Sequence, residues 1–344
     1  MDIYINSLEA ISPQNTFNTE GFLTETIQPE GNFFSCQTPK YSEYLDPKAL
    51  RRMSKIVRMG VTTAKTALKN ANVETPDAII VGTGLGCIED TTKFLSQMID
   101  NNEQLLNPTA FIQSTHNTVS GQIALMLGCR NYNLTYTQKS ISFESALLDA
   151  YLMLKSNEAK NILVGGIDEI TEDSHKLMKL AGCTKNTNTE NGYTPGEGST
   201  FFVVSNEKSN KNINKISDIS LFNTIKNNED LIYKTNEFLS KNNLSIADID
   251  VFISGANDDL KNDKPHSFLK EIFSQSIIAN YKHLVGEYDT ASAFSVWLAS
   301  KIIETNSVPR GIIANSVSKK EHNNILIYNS FNNKNHSLIL LSKC

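Results

Sequence analysis

The fold class is decided by the stretch Ile162-Leu163-Val164-Gly165-Gly166-Ile167-Asp168-Glu169, a run of large aliphatic residues that stops at two glycines. A short apolar run bounded by turn residues is typical of a strand that is buried on both faces. A helical pattern from Phe143 to Lys155 comes before this run, and Phe201-Phe202-Val203-Val204 comes after it. Strands that alternate with helices in this way indicate an α/β protein whose sheets are covered by helices.

The same alternation extends in both directions along the chain. Helices are predicted from Leu50 to Asn70 and from Ala291 to Glu304. The polar stretch from Asn206 to Lys215 is the best candidate for a link between two halves, residues 1–207 and 208–344. Further buried strands are predicted by the apolar runs 78–81, 251–253, 325–328 and 338–341, the last two joined by an Asn-rich hairpin loop at 331–335.

Composition and charge exclude several classes of protein. The chain has 344 residues and a formal net charge of -5, and a nucleic-acid surface would need clustered Lys and Arg instead. No apolar stretch is long enough to cross a bilayer, and the N-terminal residues lack the pattern of a signal peptide. The five cysteines are an odd number without CxxC spacing, so we expect free thiols and a cytoplasmic location.

Motifs for metals, dinucleotides and hydrolase nucleophiles are missing. The six His are not paired at metal-ligand spacing, so no metal site is expected. The turn Gly82-Thr83-Gly84-Leu85-Gly86-Cys87 departs from the dinucleotide fingerprint because Cys87 stands in place of the last glycine. No Ser lies in a GxSxG elbow. We therefore expect no cofactor.

A cluster of basic residues precedes and enters the first long helix. It consists of Lys48, Arg51, Arg52, Lys55 and Arg58. The cluster is either the solvated face of a helix or a landing site for an acidic carrier protein or a partner subunit.

Several motifs, taken in order, resemble the β-ketoacyl-acyl-carrier-protein synthase family over nearly the whole chain. The resemblance implies a thiolase-like α/β fold of five layers (αβαβα), in which two pseudo-equivalent halves each contribute a central sheet. It rests on Ile80–Gly86, Phe111–Ala124, Ile162–Glu169, Gly196-Glu197-Gly198 and Asn329-Ser330-Phe331.

The catalytic residues of that family are replaced in this chain. The family's chemistry needs a Cys thiolate at a helix N-terminus and two His residues. By the resemblance, Ser140 stands at the nucleophile position, Gly255 at the first His position and Glu287 at the second. A Ser hydroxyl is far less acidic than a thiol and needs a base to become a nucleophile. We therefore expect no catalytic residues of the family's kind.

The resemblance then implies a partner role, that of a chain-length factor. Such a subunit pairs with an active ketosynthase, in aryl polyene or type II polyketide systems, and works with an acyl carrier protein. The strand 133–137 would pair with the same strand of the partner. Candidates for the tunnel or the interface are Phe111, Ile112, His116, Tyr136 and Gln138.

Two other functions stay open from the sequence. One is an acyltransferase or a thioesterase-like enzyme in which Ser140 accepts the acyl group and Glu287 is the base. The other is a scaffold without any role in a tunnel.

Overall fold

The computed structural model describes residues 1–19, 22–29, 31–185 and 191–344. The strands are β1 Ile3–Ile11, β2 Ala78–Gly82, β3 Tyr132–Tyr136, β4 Asn161–Asp168, β5 Gly198–Ser205, β6 Asn214–Asn223, β7 Val251–Ser254, β8 Ile277–Asn280, β9 Asn324–Phe331 and β10 Asn335–Ser342. The helices are α1 Pro47–Leu50, α2 Lys55–Ala71, α3 Ile88–Asp100, α4 Pro108–Gln113, α5 Thr118–Leu127, α6 Ser142–Lys155, α7 Glu172–Leu180, α8 Asn228–Lys241, α9 Lys264–Ile272, α10 Lys282–Val285 and α11 Ser292–Thr305.

The strand order repeats between the two parts of the chain. In the described residues the order is β3-β2-β4-β5-β1 followed by β6-β10-β9-β7-β8. Read from the outer edge inward, each part has three parallel strands, then an antiparallel strand, then a fifth strand. This confirms the two pseudo-equivalent halves. The boundary placed between 207 and 208 lies between β5 and β6, and it stays a prediction.

The two predicted sheets are joined at their edges. Ile3, Tyr4 and Ile5 of β1 pair with Ile216, Lys215 and Asn214 of β6, so one continuous ten-stranded ladder runs through both halves. The join is short, and each half keeps its own five strands.

Five layers result from where the helices pack. Helices α6 and α11 lie between the halves, where Phe143 and Trp297 share one apolar core with inward residues of both sheets. Helices α2 and α5 cover the outer face of the first half, and α8 and α9 cover that of the second. The predicted thiolase-like architecture is confirmed.

The helix predicted over 50–70 begins later, at Lys55, and Leu50 instead ends the short helix α1. Ser54 has an extended backbone, with φ -68° and ψ 170°, and α2 begins directly after it. Within the described residues, no helix combines the length and the apolar character that crossing a membrane requires.

The two outer edges of the ladder differ. At β8, Asn315 Oδ1 accepts a hydrogen bond from Ile278 N at 3.1 Å, Ala314 N donates to Ile278 O at 2.8 Å, and Ile313 bridges to Ala279. At β3, the described chain provides no strand on the outer side, and the side chains of Tyr132–Leu134 are exposed. An uncovered edge offers unpaired backbone groups to another chain.

Candidate functional site

Ser140 lies at the turn between a strand and a helix, as the sequence predicted. It is buried within a 3-10 turn, Lys139–Ile141, that joins β3 to α6. Lys139 has φ +54°, a left-handed conformation that is unfavourable for residues with a side chain. The start of α6 lies close to the end of β2, since a Cβ atom at Gly82 would be only 2.6 Å from Phe143 N. Ser140 therefore lies at the N-terminal end of α6.

Among the described residues, no His, Asp or Glu is hydrogen-bonded to the Ser140 hydroxyl. The hydrogen bond recorded for Ser140 Oγ comes from Asn335 Nδ2, at 3.5 Å. An amide cannot take the proton of the hydroxyl, and a serine needs such a base to act as a nucleophile. The geometry does not favour covalent chemistry at Ser140.

Gly255 leaves no room for a histidine. A Cβ atom at this position would lie 2.4 Å from Asn329 Oδ1. The Asn329 side chain is held there, because its Nδ2 donates to Glu144 Oε1 at 3.0 Å. The Asn329 side chain therefore occupies the space that a side chain at position 255 would need.

Glu144 is the site residue that the sequence analysis missed. It is fully buried in α6, and its Oε1 also accepts from Ser337 Oγ at 3.1 Å. Burial raises the pKa of the Glu144 carboxyl, and its hydrogen bonds only partly oppose that rise. The sequence carries little signal for it, because a Glu in the first turn of a predicted helix is ordinary at a solvent-exposed position.

Glu287 is tied into a buried ion pair. Its two carboxylate oxygens lie 3.0 Å and 2.7 Å from Lys282 Nζ, and Asn257 Nδ2 donates to Oε2 at 2.6 Å. The side chains of Lys282 and Glu287 are only 2% and 6% exposed. A carboxylate neutralised in this way is not free to act as a general base.

Two further carboxyl groups face each other beside Gly84. Asp168 accepts hydrogen bonds from Thr83 Oγ1, Gly84 N, Thr290 N and Thr290 Oγ1, which stabilise its charged form. Burial, and then the charge of Asp168, raise the pKa of Asp289 to about 7. Burial also raises the pKa of Asp168, although its four hydrogen bonds oppose that rise.

The hollows around Glu287 are small. One, of about 60 Å³, is lined by Leu85, Tyr193, Asp289 and Phe331 among others, and a second, of about 200 Å³, is lined by Phe34 and Asn257. Pockets for organic ligands usually measure about 300–1,000 Å³. A larger hollow of about 640 Å³ includes none of these site residues. Among the described residues, no group of three or more His, Cys, Asp or Glu is placed to hold a metal ion.

The tunnel and interface candidates are exposed or half-buried, and they lie on α4, on β3 or just after one of them. Phe111 and Ile112 on α4 are 56% and 66% exposed, and the Phe111 ring packs against Phe94 of α3 with centroids 5.3 Å apart. His116 and Gln138 are exposed and Tyr136 is half-buried. These residues are not gathered around Ser140 as the lining of an internal cavity.

A continuous stretch of sequence carries most of the exposed large apolar side chains. Of the fifteen found in the described residues, ten lie between 95 and 152. We call these ten the apolar surface: Leu95, Ile99, Leu105, Phe111, Ile112, Leu125, Met126, Tyr132, Leu134 and Leu152. The ten lie on α3, α4, α5, β3 and α6 or in the connection between α3 and α4.

The basic cluster is divided between surface and interior. Lys48, Arg51 and Arg52 are exposed. Lys55 instead reaches the fully buried Glu197, with its Nζ 2.5 Å from Oε1. Only part of the predicted cluster is therefore free to meet another molecule.

The fold and the strand-to-helix turn at Ser140 define a thiolase-like α/β protein. A family model for the β-ketoacyl synthase N-terminal domain matches residues 14–210, and the chain belongs to this family. Among known relatives, the 3-oxoacyl-[acyl-carrier-protein] synthase 2 of Staphylococcus aureus strain N315 is 20% identical over 184 residues, 47% of this chain and 44% of that enzyme. The chain thus spans about half the length of the relatives that it matches in sequence.

Solved structures share the fold over the whole chain. The ishigamide ketosynthase/chain length factor is 16% identical with a TM-score of 0.82, covering 100% of this chain and 99% of that one. A ketosynthase in complex with its chain length factor from Xenorhabdus doucetiae is 14% identical with a TM-score of 0.76, covering 100% and 98%. A β-ketoacyl synthase from Burkholderia phymatum is 12% identical with a TM-score of 0.82, covering 100% and 99%.

Proposed function

We propose that this chain is a non-catalytic β-ketoacyl synthase-like subunit, a chain-length factor that pairs with an active ketosynthase during chain elongation. The observation that carries the proposal is the uncovered edge of β3, set within the apolar surface. The equivalent edge of the second half, β8, is covered by residues 313–315 of the same chain. Of two equivalent edges, only β3 is left to be covered by another chain.

The partner is expected to add its own β3-like strand antiparallel to β3. An obligate interface buries a large and mostly apolar area, which the ten residues of the apolar surface supply. Two of the similar structures are described as ketosynthases with chain length factors. Without such a partner, the chain would associate with itself or be poorly soluble.

The absence of catalysis is inferred from three positions together. Ser140 lacks a base, Asn329 fills the space above Gly255, and Lys282 neutralises Glu287. A single changed residue would leave part of the condensation chemistry in place. Here the Cys nucleophile and both His residues are replaced, and Asn329 also fills the space that a histidine at position 255 would need.

Ser140→Ala is expected to leave the condensation rate of the complex within about twofold of wild type, since the hydroxyl has no role in bond formation. The assay uses an active ketosynthase with intact Cys and His residues, together with acyl and malonyl carrier protein. Glu287→Gln is the variant at the other position, and its rate is compared per assembled complex because loss of the charge that pairs with Lys282 also destabilises the fold. A loss of about 100-fold or more, the scale for removing a general acid or base, would support the acyltransferase or thioesterase alternative.

Phe111→Ala and Ile112→Ala are expected to lengthen the products of the complex by one or more extension units without a large loss of rate. Both side chains project from α4 within the apolar surface and could close the end of a tunnel at the interface. A side chain that fills a pocket excludes added methylenes by close packing. Mass spectrometry of the products measures the effect, with the exposed Leu177→Ala as control. Unchanged lengths in an assembled complex would leave only a scaffold role.

The proposal also covers the pathway and a second partner, an acyl carrier protein. We expect the chain to act in chain elongation of the aryl polyene, polyketide or fatty-acid type. It would work there with an acyl carrier protein, in the cytoplasm. One solved neighbour is a ketosynthase bound to its acyl-carrier protein. On this chain, the exposed Lys48, Arg51 and Arg52 are either a carrier landing site or a solvated helix end, and salt-dependent binding of the carrier protein distinguishes the two.

A further inference from the structure

A buried histidine links the ends of two strands, next to Gly255. The Nδ1 atom of His266, on α9, lies 3.1 Å from Ser254 Oγ, and its Nε2 atom lies 3.0 Å from Ser330 Oγ. Ser254 is the last residue of β7 and Ser330 lies near the end of β9. His266 is only 1% exposed and its ring packs against that of Tyr328, with centroids 4.8 Å apart.

The hydrogen bonds of His266 go to neutral groups. Its hydrogen-bond partners are serines, Tyr328 of β9 is a neutral phenol, and His336 lies on β10. Lys282 of α10 and Lys270 of α9 are nearby positive charges, and both oppose a second positive charge. Lys282 is already paired with Glu287, while Asp263, at the start of α9, accepts from the backbone of Asn257 and Asp258. The α8 residues buried in this layer are uncharged: Leu231, Thr235, Phe238 and Leu239.

The neutral ring suits this place and the protonated ring does not. A neutral imidazole has one donor and one acceptor, and a hydroxyl can serve either. Burial, together with the charges of Lys282 and Lys270, lowers the pKa of His266 well below its usual range. A histidine in an unfolded or opened segment titrates near 6.5. Protonation therefore requires the segment to open.

We propose that His266 is a pH-sensitive link, which holds the loop between β7 and α9 closed when neutral and releases it in mild acid. The loop contains Gly255 and Asn257, and Asn257 donates the hydrogen bond to Glu287. Release of the loop would break the hydrogen bond from Asn257 to Glu287. The inference concerns this chain alone and does not depend on its proposed partner.

The sign of the effect follows from linkage. The native form binds fewer protons than the opened form, so the closure is fully present above a pH of about 6.5 and is lost as the pH falls below it. With one histidine involved, the opened population is expected to rise about tenfold between pH 7.5 and 5.5. Amide exchange reports such local openings.

Hydrogen–deuterium exchange of the full chain tests the link. After correction for the intrinsic rate, peptides covering 255–272 are expected to exchange about tenfold faster at pH 5.5 than at pH 7.5, while peptides of β4 keep their rate. His266→Gln should remove this difference, and His116→Gln, at an exposed histidine, should retain it.

Two results would overturn the proposal. One is equal corrected exchange of 255–272 at both pH values in wild type, a measurement that decides the matter even if His266→Gln does not fold. The other is a folded His266→Gln chain with the same pH dependence as wild type, which would assign the effect to another group.

Discussion

Replacing Leu134 with Asp is expected to weaken the binding of this chain to its ketosynthase by at least about 100-fold. Leu134 is the central residue of β3 and is 36% exposed in the isolated chain. If β3 pairs with a strand of the partner, this side chain becomes buried among apolar groups. A carboxylate without a partner is costly in such a place, and Asp also disfavours a strand.

Leu260→Asp provides the control for a leucine changed to a charged residue. Leu260 is 57% exposed in the loop between β7 and α9, and it lies outside the apolar surface. Sedimentation or surface binding measurements with the purified ketosynthase give both dissociation constants. If the Leu134→Asp chain is folded and binds within threefold of wild type, β3 is not at the interface.

Glu287→Ala is expected to lower the free energy of unfolding by about 3–5 kcal/mol, the scale for breaking a buried ion pair on one side. The loss arises because Lys282, with its side chain 2% exposed, would keep a positive charge without the two oxygens that now lie 3.0 Å and 2.7 Å away. Denaturant unfolding at constant pH measures the change.

Two further variants test whether the loss of stability comes from the unpaired charge of Lys282. The double replacement Lys282→Met with Glu287→Leu removes both charges and should recover most of the lost stability, since well-packed apolar residues often replace a buried pair without loss. Glu304→Ala breaks the exposed pair with Lys301 and should cost less than about 1 kcal/mol. A loss below about 1 kcal/mol for Glu287→Ala would mean that Lys282 finds another partner.

The comparison between sequence and structure is clearest at Gly255 and Ser140. The order of motifs placed Ser140 at the turn between a strand and a helix, and the structure has it there. For Gly255, the sequence indicated only that a histidine is missing. The structure adds that Asn329 occupies the space, so restoring a histidine would require a change at 329 as well.

The tunnel candidates show the opposite case. Phe111 and Ile112 are bulky and apolar, and such residues are usually buried in a core. Their exposure on α4 is not a property of the short apolar segment itself. It depends on the packing of α4 against α3, which leaves no residue of α4 fully buried.

By itself, the sequence determined the α/β class, the alternation of strands and helices and the resemblance to the thiolase-like family. These are local properties, because strand and helix patterns and short motifs are written within a few neighbouring residues. The tertiary structure alone decided that Glu144 and Asn329, 185 residues apart, share a hydrogen bond, and that β3 is uncovered while β8 is not. The physical reason is that burial and edge pairing depend on which distant segments pack together, and no local pattern encodes that choice.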